Sequence, residues 1–370
     1  MKRILSLDGG GIRGIFSLQI LSRIEALFRD ESGKSDLRLS DVFHLIAGTS
    51  TGAIIAAFLS FGHSVSEIEQ LYFEFGPLMF RPERWYRRWN SKYRAYEIAR
   101  LFKEHFCERD GTPAKMGSER LRTLLLIVMR NATTGAPWPV SNNPRAYYND
   151  RERQDCNLNV PLWQLLRAST AAPTFFPPER IEYGGRRFLF VDGAVTPFNN
   201  PSHMAVLTAT LPQYRLGWPT GRDLLHVVSV GTGFERTRLP DKTAEKIHLI
   251  DQLLFCVPAI IGATAVEQDL MCRIMGDCLY GETIDREIGD LNAPSLFGPG
   301  EQKFSYVRYD QTFNSEWGSA VKGNRTDMRL DKIENMSMFQ VIGREYAQTH
   351  VKREHLFPRA LQGILRPQPK

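Results

Sequence analysis

Residues 3–14 read Arg3-Ile4-Leu5-Ser6-Leu7-Asp8-Gly9-Gly10-Gly11-Ile12-Arg13-Gly14. Arg3 to Leu7 is apolar with a brief alternation and carries β-branched Ile4, which reads as a strand. Glycines follow at once. Beyond them Ile15, Leu18, Ile20, Leu21, Ile24, Ala26 and Leu27 recur at near-helical spacing. The chain therefore opens strand, glycine turn, helix. Backbone N–H groups at a helix N-terminus lack partners and carry partial positive charge, and glycines let a ligand approach them. Such a loop holds an anion: a phosphate, a carboxylate, or an oxyanion that exists only during reaction.

The same alternation continues outward. His44 to Ala47 reads as a second strand, and Gly48-Thr49-Ser50-Thr51-Gly52 turns it into an apolar helix from Ala53 to Leu59. Further strands are expected at Leu124 to Met129, Arg187 to Val191 and Leu224 to Val230, with helices around Ile68 to Phe75, Tyr96 to Phe106 and Pro161 to Ser169. Strands alternating with helices predict an α/β fold with a mostly parallel sheet covered on both faces. After Gly233 the pattern turns mainly helical with loops, from about Thr243 to Leu279 and Lys332 to Val351. We therefore expect a core over residues 1–235 and a mainly helical part over 236–370 packed on it, not an independent domain.

Composition narrows the class. The 370 residues are 42% apolar and 24% charged, with a mean hydropathy of −0.29. That describes a globular chain with material for a core and excludes disorder, collagen and coiled coil. The five cysteines show no CxxC pair, so they read as buried reduced thiols and not as a metal or disulfide frame. Met1-Lys2-Arg3 is followed by only four residues before Asp8, too few for the apolar centre of a signal peptide, and position 2 is not glycine. The apolar stretch Leu253 to Ala265 contains Pro258, is flanked by Asp251 and Glu267, and falls short of the roughly 20 apolar residues a spanning helix needs. The expectation is a cytoplasmic protein. A net charge of +6 favours anionic partners in general terms.

Two motifs carry chemistry. Gly9, Gly11 and Gly14 fit the dinucleotide pattern GxGxxG, but that reading needs an acidic residue at the tip of the second strand. Asp30 and Glu31 stand at the right distance inside what reads as a helix end and loop, so the context fails. Gly48 to Gly52 is a GxSxG between a buried strand and an apolar helix, the setting that pushes a serine Oγ out of a sheet and turns the N–H of Thr51 toward the same space. A serine hydroxyl needs a base. No histidine sits in a base motif; His203 is the best of the eight, and His226 reads as a core residue. The stronger candidate is Asp192, at the carboxyl end of the strand Phe188-Leu189-Phe190-Val191, where open α/β sheets build their sites. A carboxylate in a dry cleft gains proton affinity, which makes a direct Ser–Asp dyad workable.

At this point the chain resembles the patatin-like phospholipases. Asp8 to Gly14 resembles that family's oxyanion-hole loop, and Gly48 to Gly52 its nucleophile elbow. Ala168-Ser169-Thr170-Ala171-Ala172-Pro173-Thr174-Phe175-Phe176-Pro177-Pro178 is similar to its third segment. Asp192-Gly193-Ala194, followed by Asn200-Pro201, is similar to its Asp-Gly-Gly/Ala segment, with Ala194 where glycine is commoner. The likeness runs in the family's order from about Arg3 to Gly233. It implies a three-layer sandwich and a lipid acyl hydrolase with a Ser50/Asp192 dyad, an acyl-enzyme, and neither metal nor cofactor. Oxyanion donors would be the N–H groups of Gly10 and Gly11, with Gly9 and Thr51 as further candidates. Arg13 either binds a lipid phosphate or steadies the loop through a carboxylate, and Asp8 braces the turn. The phenylalanines of the third segment either wall an acyl channel or simply pack.

Partners follow from the same reading. Phe80 to Lys103 holds Arg81, Arg84, Arg87, Arg88, Lys92, Arg94, Arg100 and Lys103 interleaved with Trp85, Tyr86, Trp89, Tyr93 and Tyr96. Such a mixture suits an anionic bilayer surface, or stacking on nucleotide bases, or a solvated face whose tryptophans pack inward. The substrate implied is membrane phospholipid, met peripherally at the inner face of the membrane, with no nucleic acid as partner. The layout resembles patatin-like anti-phage effectors switched on by a cyclic oligonucleotide, which implies a cyclic di- or trinucleotide activator bound away from Ser50. A homo-oligomer stays open. So do two other classes: a dinucleotide-binding oxidoreductase using the GxGxxG loop, and a non-catalytic lipid or nucleotide sensor.

Overall fold

The computed structural model describes residues 1–79, 93–234, 248–292, 297–298, 300–313 and 331–358. Among these residues nine strands form one sheet: β1 (Lys2–Leu7), β2 (Leu45–Thr49), β3 (Leu124–Asn131), β4 (Pro137–Ser141), β5 (Glu179–Tyr183), β6 (Arg186–Asp192), β7 (Leu225–Val230), β8 (Asp277–Tyr280) and β9 (Ser305–Tyr309). The order is β5-β6-β3-β2-β1-β7-β9-β8, with β4 added to β3. From β3 to β8 every neighbouring pair is parallel, whereas β4, β5 and β6 join antiparallel. The α/β, mostly parallel expectation holds.

Helices α1 (Gly14–Ser32), α2 (Leu39–Val42), α3 (Thr51–Ser60), α4 (Val65–Met79), α5 (Ala95–His105), α6 (Leu162–Ser169), α7 (Ser202–Thr210), α8 (Leu249–Met275), α9 (Met336–His350) and α10 (Arg353–Leu356) cover it. The strand alternation decides which face each helix meets. Leu5, Leu7, Ile46, Leu125 and Ile127 point into the larger core with α1, α3, α4, α5, α6 and α9. Ile4, Leu45, Ala47 and Leu126 point the other way, onto α7 and the end of α8. Both faces are buried, so the parallel strands read as continuous apolar runs.

Two sequence expectations are extended by the structure. The strand expected at Arg187 to Val191 is one arm of a hairpin, because Gly184 and Gly185 both adopt positive φ (49° and 75°) and close a two-residue turn from β5. The mainly helical part after Gly233 also adds strands: β9 pairs with β7 along Ser305–Tyr309, and β8 pairs with β9, extending the same sheet.

Helix α8 also runs past the point where the apolar stretch was expected to stop. Its Phe255–Met275 section spans 21 residues, long and apolar enough to cross a membrane by length and composition, and little of its apolar part is buried. Its last turns belong to the protein core: Arg273 forms a two-pronged pair with Asp269 at 3.0 and 2.8 Å, and Tyr306 on β9 donates to Asp269 at 2.9 Å. The earlier turns leave Val257 and Ile260 more than half exposed.

Candidate active site

Strand β3 brings the site together. Along one edge it pairs with β2 up to Thr49 opposite Val128, and from Met129 onward with β6, beginning at Asp192. Strand β4 occupies its other edge across the same residues. The chain leaving β2 as Ser50 therefore meets the end of β6. Ser50 Oγ donates to Asp192 Oδ2 at 2.7 Å, although the two lie 142 positions apart.

The elbow is sterically demanding. Ser50 holds φ 53° and ψ −122°, a conformation a non-glycine residue adopts only when its surroundings force it. A Cβ at Gly52 would run into the carbonyl of Leu7, so α3 can start this close to β1 only with glycine there. Helix α3 is buried along its whole length, which fixes the elbow against the core. The backbone N–H of Ser50 donates to Ser169 Oγ at 2.9 Å, and that hydroxyl donates onward to Val128 O at 2.6 Å. Ser169 is thus the clamp that joins the elbow to β3.

Asp192 is 2% exposed. Its Oδ1 accepts from Ala194 N at 2.8 Å, so one oxygen is anchored and the other faces Ser50. Burial raises its pKa to about 7, against the opposing pull of the Ala194 N–H, the Ser50 hydroxyl and the Arg167 guanidinium. Arg167 is itself buried on α6, donating to Pro177 O at 3.2 Å and standing 3.8 Å from Glu179. A carboxylate in this setting can accept a proton near neutral pH.

The glycine loop lies against the serine. A Cβ at Gly9 would press on Ser50 Cβ and the Asn199 side chain. Among the described residues no acceptor stands opposite the N–H groups of Gly10, Gly11 and Thr51. Gly9 departs from expectation: its N–H is taken by Asn199 O at 3.1 Å, so it has no proton left for an oxyanion. Its carbonyl accepts from Thr232 Oγ1 at 3.1 Å. Arg13 is half-buried in the 3₁₀ turn Gly11–Arg13 that follows. The Thr51 hydroxyl bonds the phenol of Tyr72, whose OH also donates to Thr51 O at 3.1 Å.

Asp8 does brace the turn, through a residue the sequence did not single out. Arg308 on β9 reaches both carboxylate oxygens, at 2.9 and 2.6 Å, and also Asp310 at 2.6 Å and Ser229 Oγ at 2.8 Å. Asp310 in turn accepts from Gly233 N at 2.9 Å. Ser169, Arg167 and Asn199 were also missed as individual residues, although the first two lie in or beside the third motif segment.

Other candidates fall away from the serine. His226 is buried in β7 and bonds Ser305 Oγ at 2.8 Å, and His203 on α7 has its pKa lowered by burial. Neither is among the partners of Ser50. For the dinucleotide reading, β2 ends at Thr49 with no acidic tip, and Glu31 near the end of α1 pairs with Arg353 at 2.7 Å. Phe176 packs against Tyr93 at 5.8 Å between centroids, an ordinary core contact. Of the basic–aromatic stretch, Arg81, Arg84, Trp85, Tyr86, Arg87, Arg88, Trp89 and Lys92 lie outside the described residues. Within them Tyr93 is buried, Tyr96 is 71% exposed, and Lys103 sits 4.2 Å over the Trp163 ring. Among the described residues no group of three or more His, Cys, Asp or Glu could hold a metal.

Comparison with known proteins fits this geometry. Residues 5–206 match the Patatin-like phospholipase family. Patatin-17 of Solanum cardiophyllum is 26% identical over 375 residues, covering 96% of this chain and 86% of that protein. The cGAMP-activated phospholipase of Vibrio cholerae serotype O1 is 30% identical over 281 residues, covering 72% of this chain and 75% of that protein. Among solved structures, VipD from Legionella pneumophila is 14% identical with a TM-score of 0.36, over 92% of this chain and 67% of that chain, a distance at which it adds nothing to the argument. Because the matched span takes in the glycine loop, the Ser50 elbow and the end of β6 together, the chain belongs to the patatin-like phospholipase family.

Proposed function

We propose that the protein hydrolyses fatty-acyl esters of membrane phospholipids with Ser50 as nucleophile and Asp192 as its base. The observation that carries this is the 2.7 Å bond from Ser50 Oγ to a buried carboxylate at an elbow of positive φ. Ser50 Oγ attacks the ester carbonyl and its proton passes to Asp192 Oδ2. The carbonyl oxygen becomes an oxyanion facing the N–H groups of Gly10, Gly11 and Thr51. Collapse of that intermediate breaks the ester C–O bond. The proton held by Asp192 goes to the departing lysolipid alkoxide, leaving an acyl-serine. Water then gives a proton to Asp192 and attacks the acyl carbon, and the fatty acid leaves as Ser50 recovers its proton. Losing one oxyanion donor in such a scheme costs about 10²–10³ in rate.

The substrate lies in a bilayer, and α8 offers the protein's contact with it. The helix packs beside the turn that follows Asp192, with Asn200 Nδ2 donating to Ala265 O at 3.4 Å. Its exposed stripe, with Val257 and Ile260, carries no charge between Asp251 and Glu267. An apolar helix face beside a lipid-cleaving site suits the interfacial layer of a membrane. We place the enzyme in the cytoplasm, working at the inner membrane face.

The description of the Vibrio relative supports control by a cyclic di- or trinucleotide here as well. The test is mass spectrometry of the products from mixed phospholipid vesicles, with and without 3′,3′-cGAMP. Free fatty acid and lysolipid, lost in Ser50→Ala, are expected. Unchanged lipid under all conditions would overturn the reading.

A further inference from the structure

We propose that a cleft at the far end of the sheet from Ser50 binds a small phosphate ester bearing a flat ring, a nucleotide in chemical class. The cleft has a volume of about 540 Å³ and is lined by Arg145, Asn149, Arg151 and Arg215, with Asp150 as its one acidic residue. A second lobe of about 200 Å³ adjoins it and shares Arg151 and Leu158. Arg151 therefore stands at the waist between two lobes.

The charge there is largely unspent. All three arginines are exposed. Arg145 gives one N–H to Leu216 O at 2.9 Å, whereas Arg151 has no hydrogen bond or ion pair among the described residues. Guanidinium groups match phosphate oxygens in shape as well as charge. Next to them Tyr147 is 53% and Tyr148 49% exposed. Tyr147 has guanidinium carbons over its ring from Arg153 at 4.5 Å and Arg215 at 5.5 Å. Arg153 is neutralised by Asp155 at 2.8 and 2.9 Å, which leaves Arg215 as the charge on that ring with no ion pair among the described residues. Cations beside exposed aromatic rings are what phosphate and base stacking use together.

Asn149 adds an unmet hydrogen-bond demand beside the cleft. Asn149 lines the cleft and is 2% exposed; its Nδ2 donates to Ser141 O at 2.7 Å and Asn143 O at 2.6 Å. Those two bonds fix the orientation of the amide. Its Oδ1 is buried with no partner among the described residues. A buried acceptor left without a donor costs about 1–3 kcal/mol.

The position fits control and not catalysis. Asn142 Oδ1 accepts from Leu125 N at the start of β3, whereas Thr49 leaves the sheet opposite Val128, several residues along that strand, roughly 10 Å or more away. The cleft loop leads directly into α6. Leu158 lines both lobes, α6 begins at Leu162, and its last residue, Ser169, holds the N–H of Ser50. A ligand that orders the loop thus has an eight-residue helix joining it to the elbow.

Ligand binding itself is independent of the proposed function; only its effect on hydrolysis rests on that reading. Calorimetric titration of the full chain with 3′,3′-cGAMP, inorganic pyrophosphate and adenosine separates ring from charge. Binding of the cyclic dinucleotide well above that of either fragment is expected. Arg145→Glu and Arg151→Glu, both on exposed side chains, should each weaken it by about tenfold or more, and Tyr147→Ala should weaken it without altering the pyrophosphate response. No binding by the parent, or equal binding by an Arg145→Glu/Arg151→Glu variant, would overturn the site. Basal hydrolysis of a short soluble ester is measured on the same samples. Dinucleotide binding without any hydrolysis refutes the hydrolase reading and leaves the site standing. Activation that survives in the double variant refutes the site and leaves the hydrolase standing.

Discussion

Arg308 grips both oxygens of Asp8 from 300 positions away, at 2.9 and 2.6 Å, with each side chain no more than 5% exposed. Asp8 opens the glycine loop and Arg308 lies on the strand β9. The C-terminal part of the chain therefore holds the loop in place by a buried ion pair. Removing one partner strands a buried charge, which costs about 3–5 kcal/mol. Arg308→Met should lower stability by that order in denaturant titration, and an Asp8→Asn/Arg308→Met double variant should recover only the Asp8 share of it, because Asp310 still lacks its 2.6 Å partner. If the pair also sets the loop, the double variant stays slow in kcat with KM little changed. Parental stability in Arg308→Met would show that the pair carries no structural weight.

Asp192 predicts a pH profile. Its pKa is raised to about 7 by burial, so the ionised base is lost as pH falls through that value. Ester hydrolysis should drop below pH 7 along a single-proton curve and level off above it. A profile flat from pH 5 to 8 would remove Asp192 as the base.

The same shift affects stability. A carboxyl whose folded pKa exceeds its unfolded value of 3.8 is favoured when protonated, so its contribution is fully present below about pH 4 and is lost as pH rises through about 7. Asp192→Asn carries no such charge at any pH. It should melt higher than the parent at pH 8, by a margin that shrinks toward pH 4. Equal melting temperatures at both pH values would contradict the buried-charge account.

How much of this was legible in the sequence depends on what each residue must satisfy locally. Ser50 was readable because an elbow leaves a footprint: glycines on both sides, a buried strand before, an apolar helix after. Asp192 was readable because it ends an apolar strand and meets Gly193-Ala194. The donation of the Gly9 N–H to Asn199 was not, since the partner is a backbone carbonyl 190 positions on whose arrival no local pattern announces. Arg308 left no sign either, because only the register of β9 on β7 carries it to Asp8. Strands β4, β5, β8 and β9 also escaped: each is only four or five residues long and is fixed by its partners in the sheet.

The clamp on the elbow can be tested apart from the chemistry. Ser169→Ala removes the acceptor for the Ser50 N–H and leaves Val128 O without its donor. A loss of about 1–3 kcal/mol in stability is expected, with kcat reduced and KM little changed. Rescue by Ser169→Thr would fit a positioning role; unchanged kcat in Ser169→Ala would refute it.

On α8, Ile260→Asp places a charge on the exposed apolar stripe. Burying an isoleucine in an apolar layer is worth about 1.5–3 kcal/mol, so vesicle association should fall by about tenfold or more. Turnover of a short soluble ester should not change. Equal vesicle binding by parent and variant would move the membrane contact elsewhere on the protein.

The most direct test is the rate of fatty-acid release from phospholipid vesicles by Asp192→Asn, with Ser50→Ala alongside and both checked for folding by thermal melting. A drop of about 10³-fold or more in each, with melting at or above that of the parent for Asp192→Asn, is the predicted result. Release at the parental rate by either folded variant would contradict it.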